Sequence, residues 1–368
     1  MTRLGIIGTS WWVDAMYLPA LTTLDGVEVV ALAGRDPERA RDRAEAWGIP
    51  MVFGDWRTML EEADLSGVVV AASNPVHYPA TKLALERGIH VLCEKPVAAT
   101  HEEASELAAM AEQTGAVTMV PFTYAFMPGF RHLHRLVEGG YAGRLHHVGL
   151  RYHAGYGLTG EYQWKFDARH NPTGALGDIG SHFLYLAMLL GGEVRAVTAR
   201  LESVAPHGST DPDGQPYPPA ADTAVVIMEF ASGAQGMMHA SAVAHEGTSM
   251  NQLHAIEVHG SEGTLRYVCD FDRTQQVSGA RVGEGPPRPL PIPDDVWGPV
   301  RRELVHDTYR DVFRNTDSMA RGWAKALERG EPVRPDLRDG ALVQKLIDAC
   351  LVSSDRGVRV EVEGAARA

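Results

Sequence analysis

The stretch HVLCEKPVA, residues 90–98, places a glutamate, a lysine and a proline directly after a short apolar run. An apolar run of this length is typical of a buried β-strand. The charged pair at its end favours either a surface turn or a ligand site, because open α/β sheets bind their ligands at the carboxyl ends of their strands. The segments on either side of the stretch distinguish these two interpretations.

Strand-like and helix-like patterns alternate around this stretch, from residue 3 to about residue 120. RLGII, VEVVALA, GVVVAA and AVTMV are strand-like, and helical patterns such as DPERARDRAEAWG separate them. In that helix Asp36 fits the N-cap, Pro37 the first turn and Gly48 the end. The alternation with short connections predicts a doubly wound parallel sheet, a Rossmann-type α/β domain over residues 1–122.

Residues 123–368 follow a different pattern, which predicts a second α/β domain. Runs such as TAVVIMEF and HAIEVHG are strand-like, and Gly233 and Gly263 lie where hairpin turns are expected. We expect a large, open, mainly antiparallel sheet in this domain. The predicted helices are residues 177–190, roughly 301–329 and 337–355.

The strand-like run VVIMEF has apolar residues in both of its alternating sets. Such a strand is expected to be buried on both faces. We therefore predict that helices cover one face of the second sheet and that a partner subunit covers the other, in a homodimer or homotetramer.

Composition restricts the partners of the chain. Its 368 residues include 47 acidic and 34 basic ones, a net charge of −13, and such a field repels nucleic acid and anionic membranes. Apolar runs such as FLYLAMLL are too short to span a bilayer, and the start, RLGIIG, has no signal-peptide pattern. Cys93, Cys269 and Cys350 lack metal-ligand spacing, so we expect reduced, buried thiols, no metal and a cytoplasmic location.

The turn after the first strand is a candidate cofactor loop. A dinucleotide fingerprint has glycine at the first, third and sixth positions of this turn, and only the first is glycine here. The turn opens a helix, however, and a helix N-terminus suits a phosphate group. From these residues alone, a cofactor-binding turn and an ordinary βα turn both remain open. The candidate cofactor-binding residues are Gly8, Thr9, Ser10, Trp11 and Trp12.

The end of the second strand bears on which cofactor would bind. An acidic residue at this point accepts hydrogen bonds from the ribose hydroxyls of NAD, but the chain has Gly34 and Arg35 there. A residue without a side chain, followed by a guanidinium, suits the 2′-phosphate of NADP. The alternative is an arginine that only contacts solvent.

Polar residues also follow the strand-like runs GVVVAA and HVLC. Ser73, Asn74 and His77 come after the first run, and Glu94 and Lys95 come after the second. Parallel strands bring these residues to the same edge of the sheet as Gly8, which predicts a ligand cleft there. The alternatives are that Asn74 forms a turn with its proline and that His77 only begins a helix.

The segment TGALGDIGSHFLYLAMLLGG contains a second pair of candidate residues. Asp178 and His182 are four residues apart on a predicted helix, so they share one of its faces. The alternatives are a histidine whose hydrogen bonds are satisfied within the core and an acid that favours the helix start.

Taken together, these segments resemble the glucose–fructose oxidoreductase/inositol dehydrogenase (Gfo/Idh/MocA) family over essentially the whole chain. The resemblance rests on GIIGTS, AGRDPERA, NPVHYPATKLALERGIHVLCEKPVA, WKFD, GALGDIGSH and ALERGEPV. It implies a Rossmann domain followed by an open-sheet domain that covers the nicotinamide. It also implies a Lys95–Pro96 bond that is often cis and a catalytic set of Lys95, Asp178 and His182.

The chemistry of these residues agrees with hydride transfer. Histidine has an ordinary pKa of about 6.5, so His182 can take the proton of a substrate hydroxyl and return it. Lys95 is a positive donor that stabilises a developing alkoxide. We expect Asp178 to bind substrate hydroxyls or orient the set, and Glu94 to hold the Lys95 ammonium in place.

We therefore predict an NAD(P)-dependent oxidoreductase that acts on a secondary alcohol or ketone of a sugar, sugar derivative or inositol, with NADP preferred over NAD. Tyr124, Trp164 and Lys165 are expected to line the substrate site together with the catalytic residues. One alternative is a dehydrogenase or reductase of a non-carbohydrate carbonyl or dihydrodiol. Another is a non-catalytic NAD(P)-binding sensor.

Overall fold

The computed structural model describes residues 1–248, 251–362 and 364. They form two compact units: unit 1 is Met1–Thr123 with Arg310–Gln344, and unit 2 is Tyr124–Tyr309 with Lys345–Ala368. These units differ from the sequence-based domains because residues 310–344 pack with the N-terminal segment. Trp323 illustrates the reason, since its side chain is fully buried and its indole N–H donates to the Val117 carbonyl at 3.1 Å.

The strands are numbered in chain order. They are β1 Thr2–Ile7, β2 Val27–Ala33, β3 Met51–Phe53, β4 Gly67–Val70, β5 His90–Cys93, β6 Thr118–Met119, β7 Leu145–Ala154, β8 Val194–Glu202, β9 Thr223–Phe230, β10 Gln235–Ser241, β11 Gln252–Gly260, β12 Gly263–Asp270, β13 Gln275–Arg281, β14 Arg288–Pro289 and β15 Val360–Glu361.

The α-helices are numbered in the same way. They are α1 Leu18–Leu21, α2 Pro37–Trp47, α3 Trp56–Glu62, α4 Asn74–Glu86, α5 His101–Thr114, α6 Pro128–Glu138, α7 Ser181–Gly191, α8 Asp294–Trp297, α9 Val305–Asn315, α10 Ala320–Arg329 and α11 Leu337–Arg356. Two π-helical turns, Val13–Tyr17 and Leu176–Gly180, run directly into α1 and α7. Short 3₁₀ turns are Thr123–Phe126, Tyr156–Thr159 and Trp164–Phe166.

The helix predicted at 301–329 is interrupted between α9 and α10. The interruption contains Thr316, Asp317 and Ser318, whose side chains compete with the backbone for hydrogen bonds and favour caps and turns. The Thr316 hydroxyl donates to the Val312 carbonyl at 2.6 Å.

Unit 1 contains a six-stranded sheet with the order β3-β2-β1-β4-β5-β6, in which all neighbours are parallel. This confirms the predicted Rossmann-type sheet. All of β4 and the last four residues of β1 are buried, as expected for the centre of a parallel sheet covered on both faces. The strand order reverses between β1 and β4, and ligands of open α/β sheets bind at such a reversal.

Unit 2 contains a nine-stranded sheet with the order β14-β13-β12-β11-β7-β10-β9-β8-β15. Its neighbours are antiparallel except β7 and β10, which run parallel, so the predicted mainly antiparallel sheet is confirmed. Gly233 has a φ of +84° in the turn between β9 and β10, a conformation that glycine adopts readily.

One face of this sheet carries buried residues and the other exposes apolar side chains. On β9 buried and exposed residues alternate, and Val225 and Ile227 belong to the exposed set. Ile227 is 51% exposed and Met237 on β10 is 57% exposed. Val268 on β12 is also exposed, so apolar side chains from three strands are exposed on this sheet.

The three cysteines of the chain are free and buried. Burial raises the pKa of Cys93, Cys269 and Cys350 to about 12 in each case. Within the part of the chain that the structure describes, no helix combines the length and apolar character required to cross a membrane.

Candidate active site

Gly8, directly after β1, allows the backbone at the end of this strand to lie close to the ends of β2 and β4. Its φ is +124°, and a Cβ atom there would lie 2.4 Å from the carbonyl oxygen of Ala71. Its N–H donates to the Ala33 carbonyl at 2.9 Å. No other residue fits this position, and the bare backbone at the strand-order reversal suits the close approach of a pyrophosphate.

A π-helical turn begins at Val13, where the fingerprint would have its third glycine. A π-helix bonds residue i to residue i+5, so Trp12 and Tyr17 come to the same side of it. The Trp12 indole N–H and the Tyr17 hydroxyl both donate to Oε1 of Glu94, at 2.8 Å and 2.7 Å. The Phe313 ring contacts both aromatic rings edge-on.

The turn after β1 therefore fixes the position of Glu94, the acid that follows β5. Oε2 of Glu94 accepts a bond from the main-chain N–H of Lys95 at 3.3 Å. The contact of Glu94 with the Lys95 ammonium stays a prediction. Sequence reasoning missed Tyr17, because nothing in the sequence pattern indicated a π-turn.

His77 connects the ends of β4 and β5. Its Nδ1 lies 2.7 Å from the Pro96 carbonyl oxygen, and its Nε2 lies 3.1 Å from the carbonyl oxygen of Ala72. The ring is 1% exposed, and burial lowers the pKa of His77. Through these contacts His77 holds the Lys95–Pro96 segment against the end of β4. The Lys95–Pro96 peptide bond is cis, as it often is in the family that the sequence resembles. A contact with the cofactor stays a prediction.

The other predicted residues of unit 1 lie at the same edge of the sheet. Ser73 is the exposed N-cap residue of α4, and Asn74 is the first residue of that helix. Arg35 follows β2 and is exposed, and no hydrogen bond or ion pair engages its guanidinium within the described residues. The carboxyl ends of β1, β2, β4 and β5 thus bring these groups to one side of the sheet.

In unit 2 the predicted helix at 177–190 begins with a π-turn, Leu176–Gly180, before α7. Asp178 lies in this turn and His182 lies in α7. Gly177 is required at this point, because a Cβ atom there would lie 1.9 Å from Oγ1 of Thr173.

Lys165 and Tyr156 bind the Asp178 carboxylate within unit 2. Nζ of Lys165 lies 2.7 Å from Oδ2 of Asp178, and the Tyr156 hydroxyl donates to the same oxygen at 3.2 Å. The Lys165 ammonium also lies 5.2 Å from the centre of the Tyr156 ring. Lys165, predicted only to line the substrate site, is therefore an ion-pair partner of the predicted catalytic acid.

The backbone around Lys165 is fixed by buried polar contacts. The Asn171 side chain donates to the Lys165 carbonyl at 2.9 Å, and the Ala220 N–H donates to the Phe166 carbonyl at 2.8 Å. Asp167 is fully buried, and its bonds to Arg169 lower the pKa of this carboxyl group to about 2. These contacts hold the short 3₁₀ turn that presents Lys165 and the half-exposed Trp164.

His182 is almost completely buried beside Tyr124, with the two ring centres 4.7 Å apart. The Tyr124 hydroxyl donates to Oε1 of Gln252 at 3.1 Å, and burial raises the pKa of Tyr124. His254 packs on the same tyrosine at 4.5 Å, and burial lowers the pKa of His254 to about 3. His254 is therefore a neutral packing residue in the physiological pH range.

Each unit thus contains part of the predicted residue set. The strand-end set with Lys95 belongs to unit 1, and Tyr124, Trp164, Lys165, Asp178 and His182 belong to unit 2. Sequence reasoning missed Tyr156, which lies in an irregular segment without periodicity. Over residues 1–248, 251–362 and 364, no group of three or more His, Cys, Asp or Glu residues is arranged to hold a metal ion.

Two family models match the chain. One describes an oxidoreductase family with an NAD-binding Rossmann fold and matches residues 2–122, and the other describes the C-terminal alpha/beta domain of the same family and matches residues 134–362.

Characterised relatives extend over most of the chain. Levoglucosan dehydrogenase of Pseudarthrobacter phenanthrenivorans is 28% identical over 90% of this chain and 88% of its own length. The NADP(+)-dependent scyllo-inositol 2-dehydrogenase of Bacillus subtilis is 27% identical over 80% of this chain and 84% of its own. A solved structure of levoglucosan dehydrogenase with NADH and L-sorbose superposes with a TM-score of 0.85 at 26% identity, covering 99% of this chain and 100% of that one.

Proposed function

Because this chain belongs to the Gfo/Idh/MocA oxidoreductase family, with an N-terminal NAD(P)-binding Rossmann domain, we propose that it transfers hydride between NADP or NAD and a secondary alcohol or ketone of a sugar, sugar derivative or inositol. The observation that carries the proposal is the Asp178 carboxylate, which is bound by Lys165 and Tyr156 one helical turn before His182. Such a group binds hydroxyls of a polyhydroxylated substrate. The relatives that act on levoglucosan and scyllo-inositol support the same substrate class.

We propose the following roles. The nicotinamide, when bound, supplies the hydride acceptor. His182 takes the proton of the substrate hydroxyl, and Lys95 donates a hydrogen bond to the oxygen that develops negative charge. Asp178 accepts a hydrogen bond from a substrate hydroxyl, while Tyr124 and Trp164 offer ring surfaces to the sugar.

The residues of unit 1 would hold the dinucleotide. Gly8 and the backbone of Thr9 and Ser10 would face the pyrophosphate, because the bare Gly8 backbone lies at the reversal of strand order. Glu94, fixed by Trp12 and Tyr17, would face the nicotinamide half. Ser73 and Asn74 would contribute polar groups at the end of β4.

The proposal is tested by following reduced-nicotinamide absorbance with a panel of sugars, inositols and anhydrosugars and with both cofactors. We expect NADP- or NAD-dependent oxidation of at least one member of the panel. Cofactor binding without turnover on any polyol, ketone or dihydrodiol would instead identify a sensor. Turnover of only the dihydrodiols or non-carbohydrate carbonyls would overturn the substrate class and retain the reaction.

We also propose a cytoplasmic homodimer or homotetramer in which a second copy covers the open face of the sheet in unit 2. Ile227 and Met237 are more than half exposed on this face, and exposed apolar patches of this kind mark protein contacts. Light scattering at micromolar concentration is expected to give a multiple of 40.0 kDa. The double variant Ile227→Arg/Met237→Arg should shift the protein towards monomer, and a monomeric wild type would contradict this assembly.

A further inference from the structure

At the end of β2 a neighbouring side chain occupies the space next to Gly34. Gly34 is not among the glycines with positive φ, so its backbone conformation alone would accept other residues. A Cβ atom at this position would, however, lie 2.5 Å from Cγ2 of Thr9 and 3.3 Å from Cβ of Ala40. It is therefore the Thr9 side chain, and not the backbone conformation, that restricts this position: a larger residue here requires Thr9 to move.

This position has a known task in dinucleotide-binding folds. An acidic side chain near the end of the second strand accepts hydrogen bonds from the ribose 2′-hydroxyl of NAD and repels the 2′-phosphate of NADP. In this chain the γ-methyl of Thr9 occupies the space in which such a side chain would begin. A hydroxyl group also lies near that space, since Oγ1 of Thr9 is 3.4 Å from the same Cβ position, and the exposed Arg35 is the next residue of the chain.

We infer that Thr9 restricts cofactor specificity through position 34: its side chain obstructs a ribose-binding acid there, so an acid introduced at this position binds NAD well only when Thr9 is also replaced. The inference rests on the proposed preference for NADP. It predicts that a single substitution of Gly34 by an acid should not be enough to make the site prefer NAD.

A double-mutant cycle tests this exclusion. NADH and NADPH are titrated into the full-length wild type, Gly34→Asp, Thr9→Ala and the double variant, with binding read from cofactor fluorescence. We expect Gly34→Asp alone to weaken NADPH by about tenfold or more and to gain little NADH affinity, because the new side chain must displace Thr9. The double variant should bind NADH about tenfold more tightly than Gly34→Asp does.

Thermal unfolding of the free protein provides a second readout that needs no cofactor. Gly34→Ala adds only the Cβ atom, so it should lower the Tm of the wild type and lower it clearly less in the Thr9→Ala background. Equal losses in both backgrounds, or Gly34→Asp binding NADH as tightly as the double variant, would overturn the exclusion by Thr9.

The two readouts separate this inference from the proposed function. A wild type that binds neither cofactor would refute the proposed function, whatever the unfolding cycle shows. A wild type that binds NADH as tightly as NADPH would refute the stated role of Thr9 in specificity. This holds even if Gly34→Ala lowers the Tm less in the Thr9→Ala background than in the wild type.

Discussion

The ammonium nitrogen of Lys165 lies 2.7 Å from Oδ2 of Asp178 and so binds the same oxygen as the Tyr156 hydroxyl. The Asp178 side chain is 16% exposed and the Lys165 side chain 35% exposed, so the pair is only partly screened by solvent. A hydrogen bond to a charged group contributes about 1.5–3 kcal/mol, and the exposure of Lys165 favours the lower figure.

We therefore expect Lys165→Met to lower kcat/KM by about tenfold or more, chiefly through a higher KM for the polyol. Tyr156→Phe removes one hydrogen bond and should cost about fivefold. Lys325→Met is the matched control, because Lys325 is also 35% exposed and pairs with an acid, Asp317, outside the proposed site. If steady-state kinetics give Lys165→Met the same kcat/KM as this control, the Lys165–Asp178 pair has no role in substrate binding.

Replacing Lys95 should mainly affect the chemical step. Lys95→Met removes one preorganised donor to the developing oxyanion, a change that lowers kcat by about 100-fold or more in comparable sites. Binding of the cofactor, followed by fluorescence titration, should be retained. Lys82→Met removes a surface lysine that pairs with Glu106 and should leave kcat unchanged. Turnover within a few-fold of wild type would show that Lys95 is not the donor.

His182 should determine the pH dependence near neutrality. In the direction of alcohol oxidation only the neutral imidazole can accept the proton, so activity should rise with pH through the titration of His182. His182→Ala should be much slower and should flatten this part of the pH–rate profile. His146→Ala, at an exposed histidine on β7, serves as the control. A wild-type profile that is already flat from pH 5.5 to 8 would argue against a histidine base.

Arg35 should distinguish the two cofactors. A charge-assisted hydrogen bond from its guanidinium to a 2′-phosphate should make NADP bind about tenfold more tightly than NAD. The effect is expected to be no larger than this because Arg35 is exposed and solvent weakens the bond. Arg35→Ala should remove this preference and leave NAD affinity almost unchanged. Arg41→Ala changes another exposed arginine, on α2, and should have no effect. Equal affinities of the wild type for both cofactors would refute the preference.

His254 should make the folded state sensitive to acid. Burial lowers the pKa of His254 to about 3, so the unfolded chain binds a proton more readily than the folded one. Stability is therefore complete above the ordinary histidine value of about 6.5 and falls as the pH falls towards 3. This group alone should lower the free energy of unfolding by about 2 kcal/mol between pH 7.5 and pH 5.

Urea unfolding at these two pH values measures that loss. His254→Leu will be destabilised in itself, but its free energy of unfolding should change less with pH than that of the wild type. If the variant loses as much stability on acidification as the wild type does, His254 is not the responsible group.

The sequence predicts the architecture and the strand-end residues because these depend on periodicity. The alternation of apolar runs with capped helices predicts the parallel sheet, and parallel strands carry Gly8, Asn74 and Lys95 to one edge without further information. The same reasoning predicts the mainly antiparallel second sheet, in which hairpin turns such as that at Gly233 connect neighbouring strands.

The remaining features depend on contacts that periodicity does not encode. The π-turns at Val13 and Leu176 have the same apolar spacing as an α-helix, so Tyr17 and its bond to Glu94 were not predictable. The Lys165–Asp178 pair joins a short 3₁₀ turn to a helix start and becomes visible only after tertiary packing. Residues 310–344 pack with unit 1 for a similar reason, because the core position of Trp323 is formed by distant segments.

The buried thiols make the native protein a convenient host for site-specific labelling. Alkylating reagents attack thiolates, and Cys93, Cys269 and Cys350 combine full burial with pKa values of about 12, so the folded chain should be inert to them at neutral pH. A cysteine introduced at the exposed position Arg41 would then be the one reactive thiol, ready for a fluorophore or spin label on α2. In the unlabelled protein, the appearance of reactive thiols would time the opening of each unit, since Cys93 lies in unit 1 and the other two lie in unit 2.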